Sequence, residues 1–236
     1  MKRTYKNLWF GFAAVMVISF AVLIYYGTEI YKKAPPLPDK VVISNGSKLF
    51  TGEDIRNGQN VWQSIGGHEL GTIWGHGSYV APDWSADWLH RESMYILNTW
   101  SEEEYGKKFD KIPDEAKAAL KVRLQKDLRK NTYDQSTGII TISPIRAEAI
   151  RHNMDYYERL FTDDPEFDQL RNDYAMKTNT INDPERMDQM NAFFFWASWA
   201  TVTQRPGKEI TYSNNWPPEE LVGNKPTSSL SGQDSV

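Results

Sequence analysis

The stretch VWQSIGGHELGTIWGHGSYVAPDW (residues 61–84) decides how the chain is read. Within it, Ser64-Ile65-Gly66-Gly67-His68 puts a histidine where a haem-attachment run would read Cys-x-x-Cys-His. The full chain of 236 residues contains no cysteine, which excludes thioether-bound haem, disulfides, thiolate metal sites and nucleophilic thiols. The segment is then either a glycine-rich turn that ends in histidine or an attachment loop that has lost its sulfurs.

Working outward, the composition is that of a globular protein long enough to bury a core. The net charge of −4 gives no basic excess for binding nucleic acid. Thirteen per cent of residues are aromatic, nine of them Trp and twelve Tyr, which suits a ring-rich core, a membrane interface or a partner surface.

Toward the amino end, residues 8–26 (LWFGFAAVMVISFAVLIYY) carry no charge over nineteen positions, enough to cross a bilayer core of roughly 30 Å. Lys2, Arg3 and Lys6 precede this run, and Trp9, Tyr25 and Tyr26 sit where interfacial anchors belong. No small-x-small cleavage site follows, so an uncleaved anchor over residues 1–33 is expected rather than a signal peptide. The charge bias puts the amino end in the cytoplasm and the remainder on the far, extracytoplasmic side of the membrane. A proline-rich linker, residues 34–40, leads into a soluble domain, residues 41–224.

That domain reads as mainly α with a small β-hairpin. Thr51 with Asp54 predicts a capped helix ending near residue 63, where the glycines stop it. Pro82-Asp83 opens a second helix running to about residue 99, and Ser101 with Glu104 reads as a capping box, making SEEEY a helix start. Further helices are predicted over 114–130, 144–161 and 184–204, the last two begun by Ser-Pro and Asp-Pro, with a hairpin over 132–143. AFFFWASWA (residues 192–200) is apolar on every face and belongs either deep in a core or against another apolar surface.

Three stretches, GQNVWQSIGGHELGTIWGHGSYVAPDWSADWLHRE (58–92), FFFWASWATVTQRPG (193–207) and YSNNWPPEELVGN (212–224), together resemble the amino-terminal region of bacterial quinol-dependent nitric oxide reductases of the haem-copper oxidase superfamily. The resemblance implies an anchored, cytochrome-c-like extracytoplasmic domain without haem, followed by a catalytic transmembrane domain. That catalytic domain would carry haem b, high-spin haem b and a non-haem iron, and take electrons from quinol in denitrification. It further implies that Ser64, Gly67 and His68 are a vestigial haem loop. Gly77 and Tyr79 of GHGSYVAP would be two ligands of a calcium ion completed by the catalytic domain. Loop 75–84 and helix 193–203 would be the contact surfaces. In the resembled family a long apolar span follows ELVGNKPTSS, whereas residues 225–236 here form a polar tail, so the expectation is a chain truncated before its catalytic residues and inactive by itself.

No catalytic residue is singled out. His90 is expected to pack around Trp88, and Glu148 with His152 to form a solvated pair. Two rival readings stand beside the resemblance. One is an electron-transfer module holding haem non-covalently through His68 and a methionine. The other is an anchored binding module with Trp74, Trp84 and Trp88 as an exposed ligand platform.

Overall fold

The structure, a computed structural model, describes residues 2–67 and 69–225. The chain divides into two compact units, Met1–Pro36 and Leu37–Val236.

The first unit is one helix, α1 (Lys2–Lys33). Its segment Tyr5–Lys33 is long and apolar enough to cross a membrane, and none of its apolar window is buried in the protein. Large side chains such as Trp9, Phe12, Leu23 and Tyr26 are exposed around the helix, which suits lipid and not water. Lys32 and Lys33 end it in ion pairs with Glu29, at 3.4 and 3.2 Å.

The second unit is built around α7 (Pro184–Val202). Asp183 caps this helix through the Glu185 amide, and Pro184 starts it where an amide hydrogen is not needed. From Met190 to Val202 every side chain but Trp196 is buried. Burial all round explains the apolar run: α7 is the domain's central core helix, and its neighbours are the domain's own elements. The expectation that residues 193–203 form an outward contact surface is therefore corrected.

Helix α2 (Gly52–Ser64) lies along α7 and begins as expected. Thr51 Oγ1 accepts from the Asp54 amide at 3.1 Å, and the Asp54 carboxylate accepts from the Thr51 amide at 2.7 Å. Its buried side includes Ile55, Gly58, Val61 and Trp62, at helical spacing. At Gly58 the helices nearly touch, since an added Cβ would sit 1.8 Å from the Gln189 carbonyl oxygen.

Helices α3 (Trp84–Tyr105) and α5 (Pro144–Phe161) enclose α7 further. Trp84 stacks on Phe194 of α7 with ring centroids 5.9 Å apart, and Trp88 stacks on Tyr157 of α5 at 5.3 Å. One ion pair is buried between α3 and α5: Arg146 Nε donates to Glu92 Oε1 at 2.6 Å, and burial nonetheless pushes the Glu92 carboxyl above its usual range. Helix α4 (Asp114–Leu128) packs Leu120, Leu124 and Leu128 with Leu89, Ile96, Leu97 and Trp100 of α3 into a second apolar cluster.

Helix α3 overrides one expectation. Ser101 does not cap a new helix. It is fully buried inside α3, with its hydroxyl donating to the Lys107 carbonyl at 2.6 Å. Ile96, Leu97 and Trp100 keep the helix packed through this point, and it ends at Gly106, whose φ of 66° closes a left-handed cap. SEEEY is a helix end, and Glu104 there pairs with Arg123 of α4 at 2.7 Å.

The hairpin is found as β3 (Tyr133–Asp134) and β4 (Ile139–Ile142). It belongs to a larger sheet that also contains β1 (Lys40–Ile43) and β2 (Lys48–Thr51), in the order β2-β1-β4-β3. Strand β1 runs parallel to β4, with Val41 opposite Ile140, and antiparallel to β2. Val41, Ile43, Phe50, Ile140 and Ile142 are buried; Phe50 lies against Phe195 of α7, with ring centroids 5.6 Å apart. A short helix, α6 (Asp168–Asp173), also lay outside the expected elements. After α7 the chain forms an irregular strap, residues 203–225. Arg129 at the end of α4 holds it through Glu209 O, Asn215 Oδ1 and Asn224 Oδ1, at 2.8, 3.0 and 2.8 Å.

Candidate functional site

The glycine-rich segment begins where α2 stops. Ser64 is exposed; its hydroxyl donates to the Val61 carbonyl at 2.7 Å and accepts from Arg186 at the same distance. Gly66 adopts a φ of 77°, which turns the chain back. Gly67 is buried beneath Trp62, and a Cβ placed on it would come 2.4 Å from the indole. Trp62 itself is 4 % exposed and lies against Phe193 of α7, ring centroids 6.0 Å apart. A thioether at position 67 would need the volume that this indole fills, so these residues do not fit a covalently attached haem. His68 lies outside the described residues.

From Thr72 to Trp84 the chain forms a loop knotted around one carboxylate. Asp83, 7 % exposed, accepts from Thr72 Oγ1 at 2.7 Å, the Gly75 amide at 2.6 Å and the Ala86 amide at 3.0 Å, and from the Ser85 hydroxyl. It therefore caps α3 and ties the start of the loop to its end. The two ends also pair through their backbones, the Trp84 amide donating to Thr72 O at 2.8 Å.

The loop's tip is shaped from inside. The Gly77 amide donates to Thr72 Oγ1 at 2.9 Å, and the Ser78 amide to Ala81 O at 2.9 Å. Gly77 has a φ of 81°, and a Cβ there would be 2.9 Å from the Ala81 carbonyl oxygen, so only glycine fits without strain. Trp74, a bulky residue at a φ of 56°, is held in that conformation by its indole, which donates to Ala197 O of α7 at 2.9 Å. This frame leaves Tyr79 wholly exposed, at 102 % of its reference area, with Val80 beside it. Among the described residues, none donates a hydrogen bond to the backbone oxygen of Gly77 or Tyr79.

The structure thus places Gly77 and Tyr79 on the loop tip, while Ser64 ends α2 and Gly67 lies beneath Trp62. Sequence reasoning missed the residue on the far side of the loop. Trp216 of the strap donates from its indole to Gly75 O at 2.9 Å, and its ring lies 4.5 Å from that of His76. The contact spans 141 positions and carries no local signal.

The remaining candidates resolve differently. Trp84 and Trp88 are fully buried and Trp74 is half-buried, so these three rings form no exposed platform. Their size and apolar faces put them in the core. His90 is exposed and pairs with Glu219 of the strap at 2.9 Å, a partner outside the expected packing around Trp88. That hydrogen bond raises the His90 imidazole, and the same bond with the Leu221 amide lowers Glu219 in spite of its burial. His152 packs its ring on Tyr95, centroids 4.9 Å apart. Between α3 and α5, Tyr157 donates to Asp87 at 2.6 Å and Arg91 joins Asp87 to Tyr156, whose phenol is pushed up to about 12 by burial. Among the described residues, no group of three or more His, Asp or Glu side chains is arranged to hold a metal ion.

Comparison with curated proteins gives no match. The family model of the nitric oxide reductase NorB cytochrome c-like domain matches residues 38–218, most of the chain, from just before β1 to the strap after α7. With that match across the fold just described, the chain belongs to the family of NorB cytochrome c-like domains of nitric oxide reductase.

Proposed function

We propose that this chain is the amino-terminal part of a quinol-dependent nitric oxide reductase, in which an anchored, haem-free domain caps the catalytic transmembrane domain. Nitric oxide reduction to nitrous oxide would take place in that partner domain, on its haem b, high-spin haem b and non-haem iron, with electrons from quinol. A soluble haem relay is then unnecessary, which agrees with the absence of cysteine and with Trp62 packed on Gly67. In this reading residues 1–33 anchor the chain in the bacterial cytoplasmic membrane, and the proline-rich run after them leads into the folded domain, which begins at Leu37 and takes Lys40 into β1. Lys2, Arg3 and Lys6 ahead of the span favour a cytoplasmic amino end and an extracytoplasmic domain.

The observation that carries the proposal is the loop: a tip fixed at both feet that holds Tyr79 fully out of the domain. An exposed aromatic on a rigid loop is what a docking surface presents. The backbone oxygens of Gly77 and Tyr79 suit a hard cation, and calcium takes roughly six to eight oxygens, so the catalytic domain would supply the others.

The test is to produce the chain with and without a catalytic transmembrane domain of this family and follow copurification and nitric oxide consumption. The expected result is a calcium-dependent complex that consumes nitric oxide and is weakened by Gly77→Val, with no consumption by the chain alone. Consumption by the chain alone, or no association under any calcium concentration, would overturn the proposal.

A further inference from the structure

The candidate loop is gripped on both sides of one residue. The Gly75 amide donates to Asp83 Oδ2 at 2.6 Å, and the Gly75 carbonyl accepts from Trp216 Nε1 at 2.9 Å. Gly75 has no side chain to be held, and a Cβ there would come 2.7 Å from Thr72 Oγ1, so the backbone is the only handle. Fixing both peptide groups of Gly75 sets the direction in which the chain enters His76 and Gly77. Asp83 belongs to the loop's own foot, but Trp216 comes from the strap, and the strap has its own footing. Asn224 Nδ2 donates to Thr201 O of α7 at 2.8 Å, Arg129 holds Asn215 and Asn224, and Glu219 binds His90 of α3. Trp216 is half-buried and packs against the exposed His76 ring at 4.5 Å, so it adds little to the core.

We infer that Trp216 is a positioning residue for the presenting loop, coupling the strap that follows α7 to the orientation of Gly77 and Tyr79. The inference rests on the reading of that loop as the contact with the catalytic domain. It predicts that the loop loosens when the indole N–H is removed, while the helical core stays as it was.

The test is backbone hydrogen exchange on the full chain in detergent, without calcium and without a catalytic domain, for the wild type, Trp216→Phe and Trp216→Ala. Trp216→Phe keeps an aromatic ring beside His76 and removes the donor with the pyrrole ring that carries it. Exchange at the Gly77, Ser78 and Ala81 amides should rise roughly fivefold, the scale set by one neutral hydrogen bond, and further in Trp216→Ala. Peptides from α3 and α4 should not change, nor the thermal midpoint of the Phe variant. Unchanged exchange at the loop in both variants overturns the inference. So does an equal rise throughout the domain with a fallen midpoint, which marks a merely structural tryptophan. Failure of the calcium and docking reading is seen separately, as absent copurification, and leaves this result standing.

Discussion

Gly67 lies beneath the indole of Trp62 so closely that any side chain at position 67 would overlap it, a Cβ falling 2.4 Å from the ring. The loop that resembles a haem-attachment run is thus closed by Trp62, five positions before Gly67. Restoring the cysteines alone should not restore attachment. The double variant Ser64→Cys/Gly67→Cys, produced in cells that mature c-type cytochromes, is expected to carry no covalent haem by haem staining of a denaturing gel. Gly67→Cys by itself should lower stability by about 1–3 kcal/mol, the usual cost of overpacking a core. A stained band from the double variant would show that Trp62 yields more easily than its packing implies.

Asp83 supports the loop more directly than any other residue. Its carboxylate accepts from two hydroxyls and two amides while nearly buried, so removing it leaves donors without partners as well as an uncapped α3. Asp83→Ala is expected to cost roughly 3 kcal/mol in denaturant unfolding. Asp83→Asn, which keeps one acceptor oxygen, should lose about half of that. Equal costs for the two would mean that size, not hydrogen bonding, is what position 83 supplies.

Elements whose limits are written in local chemistry were legible in the sequence. The Thr51-Asp54 box, Ser143-Pro144 and Asp183-Pro184 each place a helix start, and α5 runs over the expected 144–161. Ser101-x-x-Glu104 has the same local form and misleads, because Ile96, Leu97 and Trp100 pack the helix through it and packing outweighs a cap. The β1–β2 hairpin had its turn in view at Asn45-Gly46, but strands of four residues give too little alternation to register. The parallel pairing of β1 with β4, joining Val41 to Ile140, is non-local and has no local signature. The site divides in the same way. The helix start at Pro82-Asp83 could be read locally and Gly77 was named by the resemblance, whereas Trp62 over Gly67 and Trp216 on Gly75 exist only once the chain is folded.

Gly58 tests how tightly α2 and α7 approach. In an open helix, glycine to alanine is stabilising by about 1 kcal/mol. Here the new Cβ would meet the Gln189 carbonyl oxygen at 1.8 Å and Phe193 Cβ at 2.8 Å, and backbone cannot move aside as a flexible side chain can. Gly58→Ala is therefore expected to destabilise by about 1–3 kcal/mol, while the exposed neighbour Gln59→Ala stays within ~0.5 kcal/mol. The comparison is a pair of urea unfolding curves, and a Gly58→Ala protein as stable as the wild type would disprove the close approach.

The His90–Glu219 bond gives the strap a pH dependence whose sign follows from the two shifts. His90 is raised by its hydrogen bond to Glu219, with Asp87 adding to the rise and burial and Arg91 opposing it. Its contribution is full below the ordinary histidine value of 6.5 and is lost as pH rises through the higher folded one. Glu219 is lowered: burial acts against this, but the bonds from His90 and the Leu221 amide prevail, with Lys121 helping. Its contribution is full above the ordinary 4.5 and is lost as pH falls through the lower folded one. The charged pair is therefore strongest between about pH 4.5 and 6.5 and fades on the alkaline side. Because the imidazole is more than half exposed, solvent screening limits the effect to a few tenths of a kcal/mol. Thermal midpoints of the wild type and His90→Gln, measured from pH 4 to about 9, should differ most inside that window and converge above it as His90 loses its charge. A difference that grows toward pH 9 would show that the neutral hydrogen bond, and not the ion pair, holds Glu219 to α3.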